Sequence, residues 1–420
     1  MTAGDDGGGV TSGGSAPAIG GEQSPEARIA ALEAAVAARP EDATSWRLLG
    51  SAYLQQAVQL GDPAFYDLSE RAFAEAAALA PGDPTILVGR GELQLSRHVF
   101  DEAEQLGEQA VAALPGNADA LGVLVDARVE LGRYEAAGET LQAMLDARPG
   151  LPALARTSYL RQLNGDLDGA IEAMRRAEVA GSPSPFDQAT VTALLGDLQR
   201  IDGDLAAALS SYERALAASP GLVAGEMGRA RVLAARGELP AAVGVVEDVV
   251  ERFPTPAALF LLADLQHALG DRAAEEQTVD LVRVTSTLQE EAGQIVDIEL
   301  AVFEADVADD LVSARRYARA AYEARPDNVF AADALAWALL REGNAAEAVP
   351  FAEQAVRLGT ADPVLQYHAA EVFAAVGDEA LAAEHLRQAL RSGASFSPRH
   401  ADAVRALAEA LDVPVPPTAS

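Results

Sequence analysis

Residues 189–220 read ATVTALLGDLQRIDGDLAAALSSYERALAASP. Two helices fit this stretch, parted near Gly203 and closed by Pro220. Glycine suits the left-handed cap that ends a helix before a turn, and proline cannot continue one, because it lacks an N–H and clashes with the preceding turn. The boundary recurs along the chain. Pro81, Pro115 and Pro149 stand at one constant interval, and Pro220 and Pro254 repeat it. The gaps from Pro149 to Pro220 and from Pro254 to Pro326 are each close to twice that interval. A periodic proline marks a periodic helix boundary.

Other positions keep register with those prolines. Gly132, Gly203 and Gly237 each stand half an interval before a proline, and Gly165, Gly270, Gly343 and Gly377 fill the comparable place in units that lack one. Nearer the proline, again at a fixed offset, come Ala103, Ala137, Ala208, Ala242 and Ala314. A small residue there lets two helices cross closely.

With these residues in place the sequence resembles the tetratricopeptide repeat family, in its bacterial multi-repeat form. The family's 34-residue motif carries Trp, Leu-Gly and Tyr in helix A, then Ala, an aromatic and Ala in helix B, then Pro. The first full unit has Trp46, Leu49-Gly50, Tyr53, Phe73, Ala76 and Pro81, with extra residues around 59–66 between its helices. The unit ending at Pro220 has Leu195-Gly196, Ala208, Tyr212 and Ala215-Leu216. The resemblance covers roughly 24–396 and implies an all-α fold, a right-handed superhelix (α-solenoid) of about ten helical hairpins.

The spacing predicts a lone helix over 25–39, then hairpins at 43–81, 84–115, 118–149, 151–182, 189–220, 223–254, 256–287, 295–326, 329–360 and 363–394. A final helix over 398–411 would cap the apolar end of the stack. Leu288 to Gln294 are extra, so the seventh unit's second helix is expected to run on through them. The domain reading is a Gly/Ser-rich tail over 1–23, an N-terminal array over 24–287, a continuous C-terminal part over 288–411 and a disordered tail over 412–420. The first segment, MTAGDDGGGVTSGGSAPAIGG, has no aromatic residue, so it is expected to be disordered or to serve as a tether.

Composition narrows the function. Half the residues are apolar but only 5% aromatic, which suits close helix packing through Ala, Leu and Val. The net charge is −33, and all 31 basic residues are Arg. Such a surface repels phosphate backbones and anionic headgroups, so neither nucleic acid nor direct membrane insertion is expected. No apolar stretch approaches a membrane span and no signal sequence opens the chain; as given it reads as cytoplasmic, with an extracytoplasmic tethered protein as the alternative. Cysteine is absent, which excludes disulfides, thiolate metal sites and Cys nucleophiles.

In the family, helix A lines a concave groove. The resemblance therefore assigns groove positions to Arg156, Tyr159, Arg200 and Arg231 in the middle units and to Phe303, Asp333, Trp337, Arg341 and Tyr367 further on. The arginines would form a basic island, and the three aromatics an apolar strip able to anchor a peptide. His368 and Glu371, one turn apart, are weak metal candidates. The carboxylate clamp of chaperone-binding family members requires Lys, so it does not carry over to this chain. There is no P-loop, no GxGxxG between strand and helix and no nucleophile elbow. The expectation is a non-enzymatic scaffold without cofactor that binds a protein or peptide partner. The alternatives are a metal-handling envelope accessory protein and a self-associating structural array.

Overall fold

The computed structural model describes residues 24–182, 184–295, 298–308 and 310–416. The expected tail or tether at 1–23 and the end of the expected tail, 417–420, lie outside the described residues. Among the described residues there are 22 α-helices and no strand. They are α1 (Pro25–Ala38), α2 (Ala43–Leu60), α3 (Ala64–Leu79), α4 (Pro84–Ser96), α5 (Phe100–Ala113), α6 (Ala118–Glu130), α7 (Tyr134–Ala147) and α8 (Leu151–Leu163). Next come α9 (Leu167–Ala180), α10 (Pro185–Ile201), α11 (Leu205–Ala218), α12 (Val223–Ala235), α13 (Leu239–Arg252), α14 (Pro256–Leu269) and α15 (Arg272–Glu291). The series ends with α16 (Ile298–Asp306), α17 (Leu311–Ala324), α18 (Val329–Arg341), α19 (Ala345–Ala355), α20 (Pro363–Ala375), α21 (Glu379–Ala389) and α22 (Ala401–Ala410). Consecutive helices pack in pairs, as an α-solenoid of helical hairpins requires. From α2 to α21 the pairs follow the expected hairpins.

Local sequence sets where each helix begins and ends. Short polar side chains cap the first helix of many pairs: Asp83 accepts from the Thr85 amide (2.9 Å), Asn117 from Ala120 (2.8 Å) and Asp362 from Val364 (2.8 Å). Pro84, Pro185, Pro256 and Pro363 stand in the first turn, where the missing N–H would have had no partner anyway. The turn within each pair uses the expected glycines, with φ of 76° at Gly132, 88° at Gly203 and 85° at Gly343. Ala103, Ala137, Ala208, Ala242 and Ala314 are all fully buried where two helices meet. In the Leu-Gly element, a Cβ on Gly50 would meet the Phe73 ring at 2.9 Å, and one on Gly196 would meet Tyr212 at 2.7 Å.

Three expectations need correction. The extra residues of the first unit do not loop out; they lengthen α2 to 18 residues and α3 to 16, leaving only 61–63 between them. α22 begins at Ala401 rather than at 398, because the preceding residues cross the face of other helices, as described below. The chain does not become a disordered tail at 412: the Val413 amide bonds to Ala408 O (2.8 Å), and its side chain is buried in the core cluster that holds Trp337.

The helices gather into two compact units, not divided at 287/288. One holds 24–153 with 286–295 and the larger holds 154–285 with 298–416. The chain passes from one to the other at the start of α8 and within α15. The expected run-on is met in part: α15 is 20 residues long and takes in Leu288 to Glu291, but stops short of Gln294. In the smaller unit, the residues after α15 return to the α4–α5 turn: the Ile295 amide donates to Arg97 O (3.0 Å), and His98 Nδ1 lies 2.9 Å from Ile295 O. The larger unit is tied across its own length. A Cβ on Gly165, in the α8–α9 turn, would strike Gly359 O at 2.3 Å, and one on Gly203 would lie 2.8 Å from Arg391 O.

Candidate functional site

Within the larger unit, the first helices of successive pairs turn one face toward a common line, and the chain's own segment 394–400 lies along it. α18 packs directly on both α16 and α20, and α14 meets α16 through the Phe260–Phe303 stack. The side chains that reach the segment are therefore one or two per helix.

Arg399 makes the segment's densest set of polar contacts. Its side chain is 6% exposed. Nε donates to Asp264 Oδ1 (2.6 Å) on α14 and Nη2 to Glu275 Oε1 (2.6 Å) on α15. The carbonyls of Ala263 (3.4 Å) and Asp306 (3.3 Å) accept from Nη2 and Nη1, and Nη1 also lies 3.0 Å from His267 Nδ1, which itself stands 3.2 Å from Glu275 Oε1. Burial works against the guanidinium charge, but the two carboxylates more than offset it and hold the group firmly charged.

His400 follows. Its Nε2 lies 2.9 Å from Asp306 Oδ2, while Oδ1 of the same carboxylate accepts from the Trp337 indole (2.8 Å) and from Arg341 Nη1 (2.9 Å). Burial opposes ionisation of Asp306. The hydrogen bond and charge of His400, helped by His368 and the Trp337 indole, win, and its pKa falls to about 2. Beside this carboxylate the His368 ring stacks on Trp337 with centroids 3.9 Å apart, and its Nδ1 lies 2.9 Å from Asp333 Oδ2. Tyr367 lies against Trp337 (6.0 Å), Phe396 (5.9 Å) and His400 (5.5 Å).

The expected groove residues thus fall into separate groups. Trp337 and Tyr367 do come together with Asp333 and Arg341, but Trp337, Tyr367 and Asp333 are buried at 2–3% exposure beneath the chain's own 396–400. Phe303 stands apart, stacked on Phe260 at 4.7 Å and equally buried. The aromatic strip is therefore not an open surface. In the middle units Arg200 is 12% exposed and faces Asp197 at 3.8 Å, with Tyr212 donating to the same carboxylate (2.7 Å). Arg156, Tyr159 and Arg231 are half-buried, each with partners of its own. His368 and Glu371 do not converge: His368 pairs with Asp333, while Glu371 accepts from the Tyr367 hydroxyl (2.8 Å). Among the described residues, no group of three or more His, Cys, Asp or Glu side chains could hold a metal ion.

Sequence reasoning missed Asp306, Glu275, Phe396 and Arg399. None lies on a motif position, and the first two meet His400 and Arg399 across separations of 94 and 124 in the chain. The one local signal was Ser395-Phe396-Ser397, which falls between the expected last hairpin and the expected capping helix.

Family comparison agrees with the geometry. Two family models described as tetratricopeptide repeat match the chain, one at 23–64, 57–118, 157–223 and 227–283 and the other at 94–157. The chain belongs to the tetratricopeptide repeat family. No curated protein sequence matches it. Similar solved structures include a thermophilic tetratricopeptide repeat protein of Thermus thermophilus, at 24% identity over 44% of this chain and 98% of that one, TM-score 0.39. A tetratricopeptide repeat protein from Parabacteroides merdae matches at 20% identity over 62% of this chain and 98% of that one, TM-score 0.36. The Cut9–Hcn1 hetero-tetramer of the APC/C matches at 13% over 92% of this chain and 93% of that one, TM-score 0.41. No described helix of this tetratricopeptide repeat chain is long and apolar enough to cross a membrane.

Proposed function

We propose that this tetratricopeptide repeat protein is a non-enzymatic scaffold, and that the first-helix face of its larger unit is where it engages a protein partner. Tetratricopeptide repeat proteins are in general interaction modules, which supports the class. The observation that carries the choice of face is the seating of segment 394–400, whose Arg399 donates to two carboxylates and two main-chain carbonyls of that face. A surface that accepts one segment through forked charged hydrogen bonds has the chemistry to accept another. On this reading Arg156, Tyr159, Arg200, Arg231 and Arg341 flank the partner. Trp337, Tyr367, Phe303 and Asp333 form the floor under the contact rather than the contact itself.

The buried floor decides which variants are informative. Trp337→Ala would remove a core side chain and cost roughly 3–5 kcal/mol, so lost binding would be uninterpretable. The half-exposed arginines serve better. Arg231→Ala combined with Arg341→Ala is expected to reduce partner capture at least several-fold, with a helical circular dichroism spectrum retained and a cooperative melt lowered by loss of the Arg341–Asp306 bond. Capture that is unchanged in the folded double variant refutes this face.

A further inference from the structure

The geometry points to the Arg399 pocket as a receptor for an arginine-bearing, turn-forming segment of a partner protein, which 396–400 of this chain now fills in place of that partner. The inference rests on the proposed face and adds the chemistry of its ligand.

Three observations carry it. First, the pocket is built for one guanidinium. Carboxylates from two helices take Nε and Nη2 of Arg399, and carbonyls from α14 and the end of α16 accept further bonds from Nη2 and Nη1, so all three nitrogens of the fork are met. Lysine, with a single point charge, would leave part of that set unmet. Second, the resident segment is held by side chains. Its main chain folds on itself in turns, with the His400 amide donating to its own Ser397 Oγ (3.4 Å), and the contacts with the face come from its side chains. Phe396 packs on Tyr367, Arg399 enters the acidic pocket and His400 meets Asp306, so the motif offered to the face is an aromatic residue followed three and four positions later by Arg and His. Side-chain anchoring of this kind is transferable to another chain. Third, a net charge of −33 draws a basic segment toward this chain before contact is made.

A segment within the same chain competes at an effective concentration on the order of millimolar, so a partner is admitted only if it binds the vacated face well below that level. The test uses a fluorescent peptide with the sequence of residues 393–402, GASFSPRHAD, titrated against the full chain and followed by polarisation. Arg399→Ala is expected to bind it at least about tenfold more tightly than the parent does, because its own competitor is gone. Adding Asp264→Asn to Arg399→Ala should abolish binding, and so should replacing Arg with Ala in the peptide.

A folded Arg399→Ala chain that shows no saturable binding at millimolar peptide overturns the inference. So does binding that ignores the arginine of the peptide. If Arg399→Ala does not fold, the parent is incubated with the same peptide carrying benzoylphenylalanine in place of Phe. Cross-links to α14, α15, α18 or α20 support the pocket, whereas cross-links elsewhere or none overturn it. A parent mass that rises with concentration and reverts in Arg399→Ala would assign the pocket to a second copy of this chain, against the inference. Peptide failure with partner capture still sensitive to Arg231→Ala and Arg341→Ala removes the ligand chemistry alone; insensitive capture removes the face as well.

Discussion

Tyr212 is fully buried between two glycines of neighbouring first helices. A Cβ on Gly196 would lie 2.7 Å from its ring and one on Gly228 only 2.1 Å. Motif conformity here is a matter of steric volume. Gly228→Ala is expected to lower stability by about 1–3 kcal/mol in urea unfolding, because a rigid ring held by Asp197 cannot step aside. The same substitution in a Tyr212→Ala chain should cost little, and an equal cost in both backgrounds would show that the ring is not the obstacle. Asp306 sets a second expectation. A carboxyl whose pKa falls from 3.8 to about 2 on folding contributes on the order of 2 kcal/mol above pH ~4, and that contribution is lost as pH falls through about 2. Chemical denaturation between pH ~5 and ~2 should show this acid loss in the parent and a shallower one in Asp306→Asn. Parallel profiles would remove Asp306 as its source.

At the scale of elements, the α4–α5 turn differs from its neighbours. Where the next pair has Gly132, one repeat further on, this turn has His98, held at φ 61°. A left-handed conformation costs a side-chain-bearing residue roughly 1–2 kcal/mol. The imidazole offsets part of that through its contact with Ile295 O and by stacking on Phe100 at 5.4 Å. It thereby fastens the end of the run-on helix α15 within the smaller unit. His98→Gly is expected to leave global stability almost unchanged, since relief of backbone strain and loss of a hydrogen bond of about 0.5–1.5 kcal/mol nearly cancel. Amide exchange at Ile295 should nevertheless become faster. Unchanged protection there would mean that the main-chain bond to Arg97 suffices by itself. α2 and α3 show how an insertion is absorbed: residues with helix-compatible side chains extend existing turns instead of forming a loop, which the repeat length alone does not reveal.

Over the whole molecule, 64 acidic residues face 31 arginines, which leaves a net charge of −33 however the ion pairs are arranged. Exposed ion pairs such as Arg405–Asp402 are each worth about 1 kcal/mol or less. Self-repulsion should therefore dominate the response to salt. The melting temperature is expected to rise as ionic strength goes from about 0.01 to about 0.15 M, where the screening length falls from ~30 to ~8 Å. A fall over that range would give the larger share to the ion pairs. The helical array itself was readable beforehand, because proline, glycine and alanine act locally: each ends, caps or narrows a helix wherever it stands. Helix boundaries at Gly203, Gly343 and Pro363 follow from that alone.

The candidate site was readable only in part. Placing Trp337 and Tyr367 on the first helices of adjacent pairs needed only the repeat register, and the two rings do meet. Their burial was beyond that register, since it depends on residues 396–400 crossing helices more than a hundred positions earlier in the chain. By itself the sequence determined a tetratricopeptide array, because its backbone constraints recur in unit after unit and need no distant partner. Only the tertiary structure decided which part of the array the chain itself covers. That depends on Arg399 finding Asp264 and Glu275, and a guanidinium settles where folded helices bring two carboxylates together, a proximity that no local pattern encodes.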